Sequence, residues 1–206
     1  MTRFMFFIAA MAILAFACEK EGADNNNSNP EVGTEIVIGD IKPGDINSYV
    51  NDLLEKCNAP VNGKEVFEAI RNSGVVIKES YRLMDAQWIY NSMPGQGVAE
   101  GFVLDNDNCI FYGYLPITDG TAPDTLTSFP YECTCDEENA TIFTKSLSFD
   151  YTFAAKVIYF KDNTLIFDGV LGSDDAYSDN YAERRIIYLC TLDSNAPADW
   201  KERLDK

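Results

Sequence analysis

Short turns constrain this chain most. Asp105-Asn106-Asp107-Asn108, Asp136-Glu137-Glu138-Asn139 and Lys161-Asp162-Asn163 each separate two runs rich in Val, Ile, Tyr, Phe and Thr. Such residues suit a pleated, half-buried surface. A connection of two to four residues joins antiparallel neighbours, whereas a parallel return needs a dozen or more. The pattern extends over Val75–Leu83, Ala86–Tyr90, Val98–Leu104, Cys109–Leu115, Phe129–Cys135, Ala140–Thr144, Phe149–Phe160, Thr164–Leu171 and Glu183–Leu192. No helical crossover interrupts it. Residues 75–192 are therefore expected to form one antiparallel up-and-down meander. Strict alternation along the longest run puts Ile158 and Phe160 on one face and Val157 and Tyr159 on the other.

Helical periodicity is confined to the flanks. Ile46, Tyr49, Val50, Leu53, Leu54 and Cys57 recur at helical spacing and form one apolar stripe. Asp45 suits the N-cap, while Asn58 and Pro60 close the segment. A second helix over 63–73 opens on Asn62 and Glu65, spaced as a capping box, with Gly74 suited to its C′ position. Pro197–Leu204 predicts a short last helix whose Trp200 covers a barrel end or sheet edge. The fold class is thus mainly β with flanking helices (α+β). A meander of this size removes its edges by closing into a barrel, with the N-terminal helices packed on it.

The stretch from Ala140 through Asn163-Thr164-Leu165-Ile166-Phe167-Asp168-Gly169 to Trp200 resembles the lipocalin-like lipoproteins of unknown function found in Gram-negative gut anaerobes. The resemblance implies a lipocalin-like barrel that carries a ligand. The Gly-x-Trp usual on that family's first barrel strand is replaced here by Ala86-Gln87-Trp88.

The N-terminus speaks to location. An apolar run from Phe4 to Ala17 follows Arg3 and leads straight into Cys18. It is shorter than the ~20 residues a spanning helix needs. A basic start, an apolar run and small residues at the end read as a signal peptide over residues 1–17. The cysteine at the cut makes it a lipoprotein signal, with Cys18 carrying the lipid. Acyl chains contribute about 0.8 kcal/mol per buried CH₂, so several on one cysteine anchor stably. Residues 18–34, with Asn25-Asn26-Asn27-Ser28-Asn29-Pro30, read as a disordered tether. Its mean reach is roughly 20–25 Å. The acidic Glu19–Asp24 stretch resembles an export signal of surface lipoproteins in the same bacteria. The expected location is the outer membrane, lipid-anchored and exposed at the cell surface, with residues 35–206 forming one globular domain.

Composition narrows the chemistry. With 33 acidic and 16 basic residues the net charge is −17, and removing Arg3 with the signal makes the chain more acidic still. Such a surface repels nucleic acid. There is no histidine. This excludes a Ser-His-Asp triad, a Cys-His pair and His-ligated zinc. No nucleotide fingerprint or phosphate loop is present, and no cofactor is expected. A carboxylate pair, as in glycoside hydrolysis, is the catalytic option that survives.

Besides Cys18 the chain holds Cys57, Cys109, Cys133, Cys135 and Cys190. An odd number leaves at least one thiol unpaired. Cys133 and Cys135 share a strand face, and Cys109 or Cys190 is the natural cross-strand partner. Disulfides, buried free thiols and a thiolate metal site all remain open. Asp105 with Asp107, Asp136–Glu138, and Asp174-Asp175 with Asp179 are acidic turns that lack the EF-hand pattern, so no metal site is assigned. Asp124-Thr125-Leu126 resembles a bacterial O-glycosylation acceptor. Aromatics crowd the first half of the sheet, and Trp88, Tyr90, Phe111 and Tyr112 are the expected ligand-binding residues.

The reading is a surface-anchored lipoprotein with a non-enzymatic binding barrel for a small or glycan-like ligand. Its alternatives are a filled barrel serving protein interaction and a carboxylate-based hydrolase.

Overall fold

The computed structural model describes residue 36 and residues 46–57, 59–90, 99–105, 108–114, 126–147, 151–173 and 184–205. The chain divides into Met1–Val32 and Gly33–Lys206, and the described residues all belong to the second unit. Cys18, the tether, Asp45, Asn58, the Asp174-Asp175-Asp179 turn and Asp124-Thr125 lie outside the described residues. Among those described, no helix is long and apolar enough to cross a membrane.

Among the described residues, three helices flank nine strands. They are α1 (Ile46–Lys56), α2 (Gly63–Arg71), β1 (Gly74–Met84), β2 (Gln87–Tyr90), β3 (Ala99–Asp105), β4 (Asn108–Gly113), β5 (Thr127–Asp136), β6 (Thr141–Ser146), β7 (Tyr151–Lys161), β8 (Thr164–Ser173), β9 (Arg184–Asp193) and α3 (Ala196–Leu204). All neighbours pair antiparallel, and β9 returns to β1 along Gly74↔Asp193 to Arg82↔Ile186. That pairing closes the sheet. β2 and β3 share one edge of β1: β2 pairs from Met84↔Gln87 to Tyr81↔Tyr90, and β3 at Val76↔Gly101 and Val75↔Phe102. Together they fill one strand position beside β1, so the architecture is an eight-stranded up-and-down barrel.

The turns work as their sequences suggest. Asp162 and Asn163 have φ of 49° and 64°, and Asp85 and Ala86 have φ of 48° and 61°. Two consecutive positive φ values match the twist of a two-residue hairpin. Asp136 holds the β5–β6 turn, its carboxylate accepting from the backbone N–H groups of Glu138 and Asn139 at 3.0 and 3.2 Å.

Inside the barrel lie Val75, Phe102, Leu104, Ile142, Val157, Leu165 and Phe167, all buried. Helix α2 packs Val66, Phe67 and Ile70 into the same cluster and closes one end. Its cap is as expected at the front, where the Asn62 side chain accepts from the Glu65 N–H. At the back the expectation fails. The helix stops at Arg71, Asn72 caps it by donating its side-chain N–H to the Glu68 carbonyl at 2.9 Å, and Gly74 already begins β1.

Helix α1 lies on the outer wall, where its predicted stripe meets Tyr81, Trp88, Ile166, Ile187 and Leu189. Helix α3 covers another outer patch. Trp200 stacks on Tyr112 with ring centroids 4.8 Å apart and an interplanar angle of 18°, so it covers sheet face rather than a barrel end. A Cβ on Gly101 would come within 2.6 Å of the Trp200 ring, so glycine lets the indole lie on the strand.

Register shifts break strict alternation between Ala99 and Gly101 and, with more consequence for the faces, in β7 and β1. A bulge between Val157 and Tyr159 turns Val157 and Phe160 inward and Ile158 and Tyr159 outward, correcting the expected pairing of faces. One extra residue re-aims every side chain beyond it. A second bulge, between Ile77 and Glu79, leaves Ile77 inward and Tyr81 outward beneath α1. Arg82, between outward Tyr81 and Leu83, therefore turns inward, and it is only 7% exposed.

Candidate ligand-binding surfaces

The lumen is aromatic. A chain of rings runs from Tyr131 to Phe111, then Phe102, then Phe167, with successive centroids 5.0, 5.0 and 5.9 Å apart. A separate pair, Phe153 and Tyr188, meets edge-on at 5.6 Å. Phe102 and Phe167 are buried, whereas their register partners Phe111 and Tyr188, and Tyr131, keep partial exposure. The end opposite α2 is bounded by β1 beyond Tyr81 and by the start of β7 and β9. Among the described residues, polar groups on the inner wall are few. Thr144 and Ser146 on β6 are buried, and the Thr144 hydroxyl lacks a hydrogen-bond partner in the fold. Arg82 is a cation turned toward this space. Burial pushes the Tyr188 phenol up, so it stays a neutral hydroxyl at physiological pH.

A second surface lies outside. A groove of about 730 Å³ runs over the outer wall of β5, β6 and β7. Two cross-strand rows cross it. One is Asn108, Glu132, Lys145 and Thr152; the next is Thr134, Phe143, Ala154 and Val170. Phe143 is 48% exposed and Val170 38%. An exposed ring is thus bordered by an amide, a carboxylate, an ammonium and hydroxyls.

The four residues expected to bind a ligand do not converge. Trp88 is buried on the outer wall beneath α1, its backbone N–H donating to Asn47 Oδ1 at 2.6 Å and its indole N–H to Asn51 Oδ1 at 3.3 Å. Tyr90 packs edge-on against Tyr81 on that same wall, 5.6 Å away. Tyr112 lies under Trp200 beneath α3. Phe111 alone faces the lumen. Residues missed from the sequence are Tyr131, Phe153 and Tyr188 inside and Phe143 outside. Period-two alternation from Phe111 through the β4–β5 register would have found Tyr131.

All five described cysteines are free thiols. Cys109 lies opposite Tyr131 and Leu104, and Cys190 opposite Ile77 and Leu165, so neither is the register partner of Cys133 or Cys135. The Cys133 and Cys135 sulfurs approach to 4.0 Å. The hydrogen bond between them raises the Cys133 thiol and lowers Cys135, and the Arg71 guanidinium further favours the Cys135 thiolate. Asp136 spends its carboxylate on its own turn, so that acidic stretch is a structural corner. No group of three or more His, Cys, Asp or Glu side chains is placed to hold a metal among the described residues.

No protein-family model matches the chain, and no curated protein matches it. Solved structures do. Bovine odorant-binding protein in complex with a selenium-containing odorant shares 11% identity over 66% of this chain and 82% of that one, with a TM-score of 0.38. A dog lipocalin allergen shares 15% over 63% and 80%, with a TM-score of 0.38. Aphrodisin, a sex pheromone from female hamster, shares 9% over 57% and 71%, with a TM-score of 0.36. The closed barrel follows from the strand pairing itself, independently of these likenesses.

Proposed function

We propose that this chain is a non-enzymatic binding barrel for a small, largely apolar ligand, held at the outer membrane through lipid on Cys18. One observation carries the ligand reading. Phe111, Tyr131 and Tyr188 point into the barrel yet retain exposure, although Phe102 and Phe167, the register partners of Phe111 and Tyr188, are buried. A concave site lined by aromatic side chains, with few polar groups to orient a ligand, is the usual form of a small-molecule pocket. Arg82, Thr144 and Ser146 supply those polar groups here. The test is titration of the full chain with an environment-sensitive apolar naphthalene dye. Saturable binding is expected, weakened at least about tenfold (~1.4 kcal/mol) by Tyr131→Ala or Tyr188→Ala. Absence of saturable binding would refute the lumen reading. Anchoring is tested separately, by labelling cells with an acyl precursor: wild type should carry lipid and Cys18→Ser should not.

The outer groove supports a second reading, a glycan-like ligand. Phe143 offers an exposed ring bordered by Asn108, Glu132, Thr134, Lys145 and Thr152, groups that hydrogen-bond hydroxyls. A glycan array separates the two. Retention abolished by Phe143→Ala and untouched by Tyr188→Ala assigns binding to the outer wall.

A further inference from the structure

The closed end of the barrel carries a thiol pair to which neither ligand reading gives a role. Cys133 and Cys135 sit on one inward face of β5, near α2, with sulfurs 4.0 Å apart and both side chains partly exposed. Their separation argues against a ready disulfide. Residues two apart on a strand are about 6.6–6.8 Å apart along the backbone, at the upper limit of the Cα spacing a disulfide spans. Cys133 and Cys135 are also locked in register with Thr144 and Ile142. Joining the sulfurs would require the strand to buckle.

An ion between them requires much less. Half of 4.0 Å is about 2 Å, near the ~2.3 Å of a metal–thiolate bond. Opening the sulfurs by about half an ångström, a side-chain movement, seats an ion nearly in line between them without moving the backbone. Ligand number then selects the ion. Structural zinc takes four donors, and no third His, Cys, Asp or Glu is placed to join among the described residues. Two soft thiolates suit Cu(I), which accepts low coordination. Arg71, paired with Glu137 at 3.2 Å, places a cation near Cys135 and the anionic complex that would form.

We propose that Cys133 and Cys135 form a two-thiolate site for Cu(I). Each thiol gives its proton to solvent as a copper–sulfur bond forms. One Cu⁺ and two thiols yield a bis-thiolate complex of charge −1 and two protons, and no electron is transferred.

The test is anaerobic titration of the full chain with Cu(I) against a chromophoric Cu(I) chelator. The expected result is one Cu(I) held per chain, with affinity reduced at least about 100-fold in Cys133→Ser and in Cys135→Ser and unchanged in Cys57→Ser. Zn(II) should not be held under the same conditions. Should the serine variants fail to fold, X-ray absorption on the copper-loaded wild type decides: two sulfur neighbours are expected, and oxygen or nitrogen neighbours overturn the site. A wild-type chain that surrenders all its copper to the chelator overturns it as well.

Discussion

Replacing Trp88 with Ala distinguishes structure from binding at the residue the sequence points to first. The indole is 5% exposed and lies between the outer wall and α1. Its ring also sits 5.4 Å from the Arg185 guanidinium. Truncating a buried Trp costs about 3–5 kcal/mol, through lost transfer energy and the cavity left behind. The backbone N–H keeps its bond to Asn47, so that anchor of α1 survives the substitution. Asn51, on an exposed part of the helix, can rehydrate when the indole N–H is gone. The loss should therefore be one of packing. With a urea m-value of about 1–3 kcal/mol/M, the unfolding midpoint should fall by about 1 M or more. Dye affinity for the lumen, measured where the variant is folded, should stay within about twofold. A midpoint shift below about 0.3 M, combined with a tenfold loss of dye affinity, would show that Trp88 faces a ligand and that the placement of α1 is wrong.

Leu53→Ala should cost about 2–5 kcal/mol in urea unfolding, because Leu53 is buried in the same α1 interface; a change below about half a kcal/mol would mean that α1 does not rest on the barrel. Gly101→Ala should destabilise by about 1–3 kcal/mol and weaken the near-ultraviolet dichroism of the stacked Tyr112 and Trp200, since its Cβ meets the indole ring and the Val75 carbonyl; an unperturbed spectrum would contradict that approach. Glu100 supplies a pH dependence. Burial pushes its carboxyl up, but hydrogen bonds from Arg203 and Trp200, at 2.8 and 3.2 Å, and from Tyr114 outweigh burial, so the folded value lies below the ordinary one. A depressed value adds stability that is present above the unfolded carboxylate range and lost as pH falls through the folded value. Glu100→Gln should therefore flatten the acid side of the urea midpoint against pH, and equal acid slopes in both proteins would rule out this contribution.

The fold was legible because it rests on local signals. Polar turns of two to four residues dictate antiparallel neighbours whatever lies around them, and the strands of the structure follow the predicted runs to within a few residues. The stripe from Ile46 to Cys57 is likewise a local pattern, and each of its members reaches the α1 interface. What was not legible is where elements stop against one another. Gly74 reads as a helix terminator, yet its bare backbone lies against Ala196, Pro197 and Trp200 of α3, a contact made across more than a hundred residues. The shared position of β2 and β3 is similar. Four residues of β1 separate Tyr81 from Val76, while ten separate their partners Tyr90 and Gly101. Only the edge of β1 that they share places the two pieces in one strand position.

The candidate site was less legible than the fold because it depends on face, and face is fragile. One residue of slip exchanges lumen for outer wall. The β1 bulge sends Tyr81 outward and Arg82 inward, the reverse of what hydrophobicity alone suggests, and the β7 bulge turns Ile158 outward beside Tyr159. Aromatic density carries no information on this point. The outer wall needs large rings beneath α1 and α3 just as the lumen needs them inside, so Trp88 and Tyr112 serve helix docking while Phe111, one residue from Tyr112, serves the interior. A face must be inherited across the register from a residue whose side is already known. Starting from Cys109 in the core, the pairs Phe111↔Phe129 and Cys109↔Tyr131 carry the inward face to β5, and Cys133↔Thr144 carries it on to β6. That chain of partners leads to the lumen hydroxyl and the paired thiols, and by parity leaves Phe143 outside beside Glu132 and Lys145.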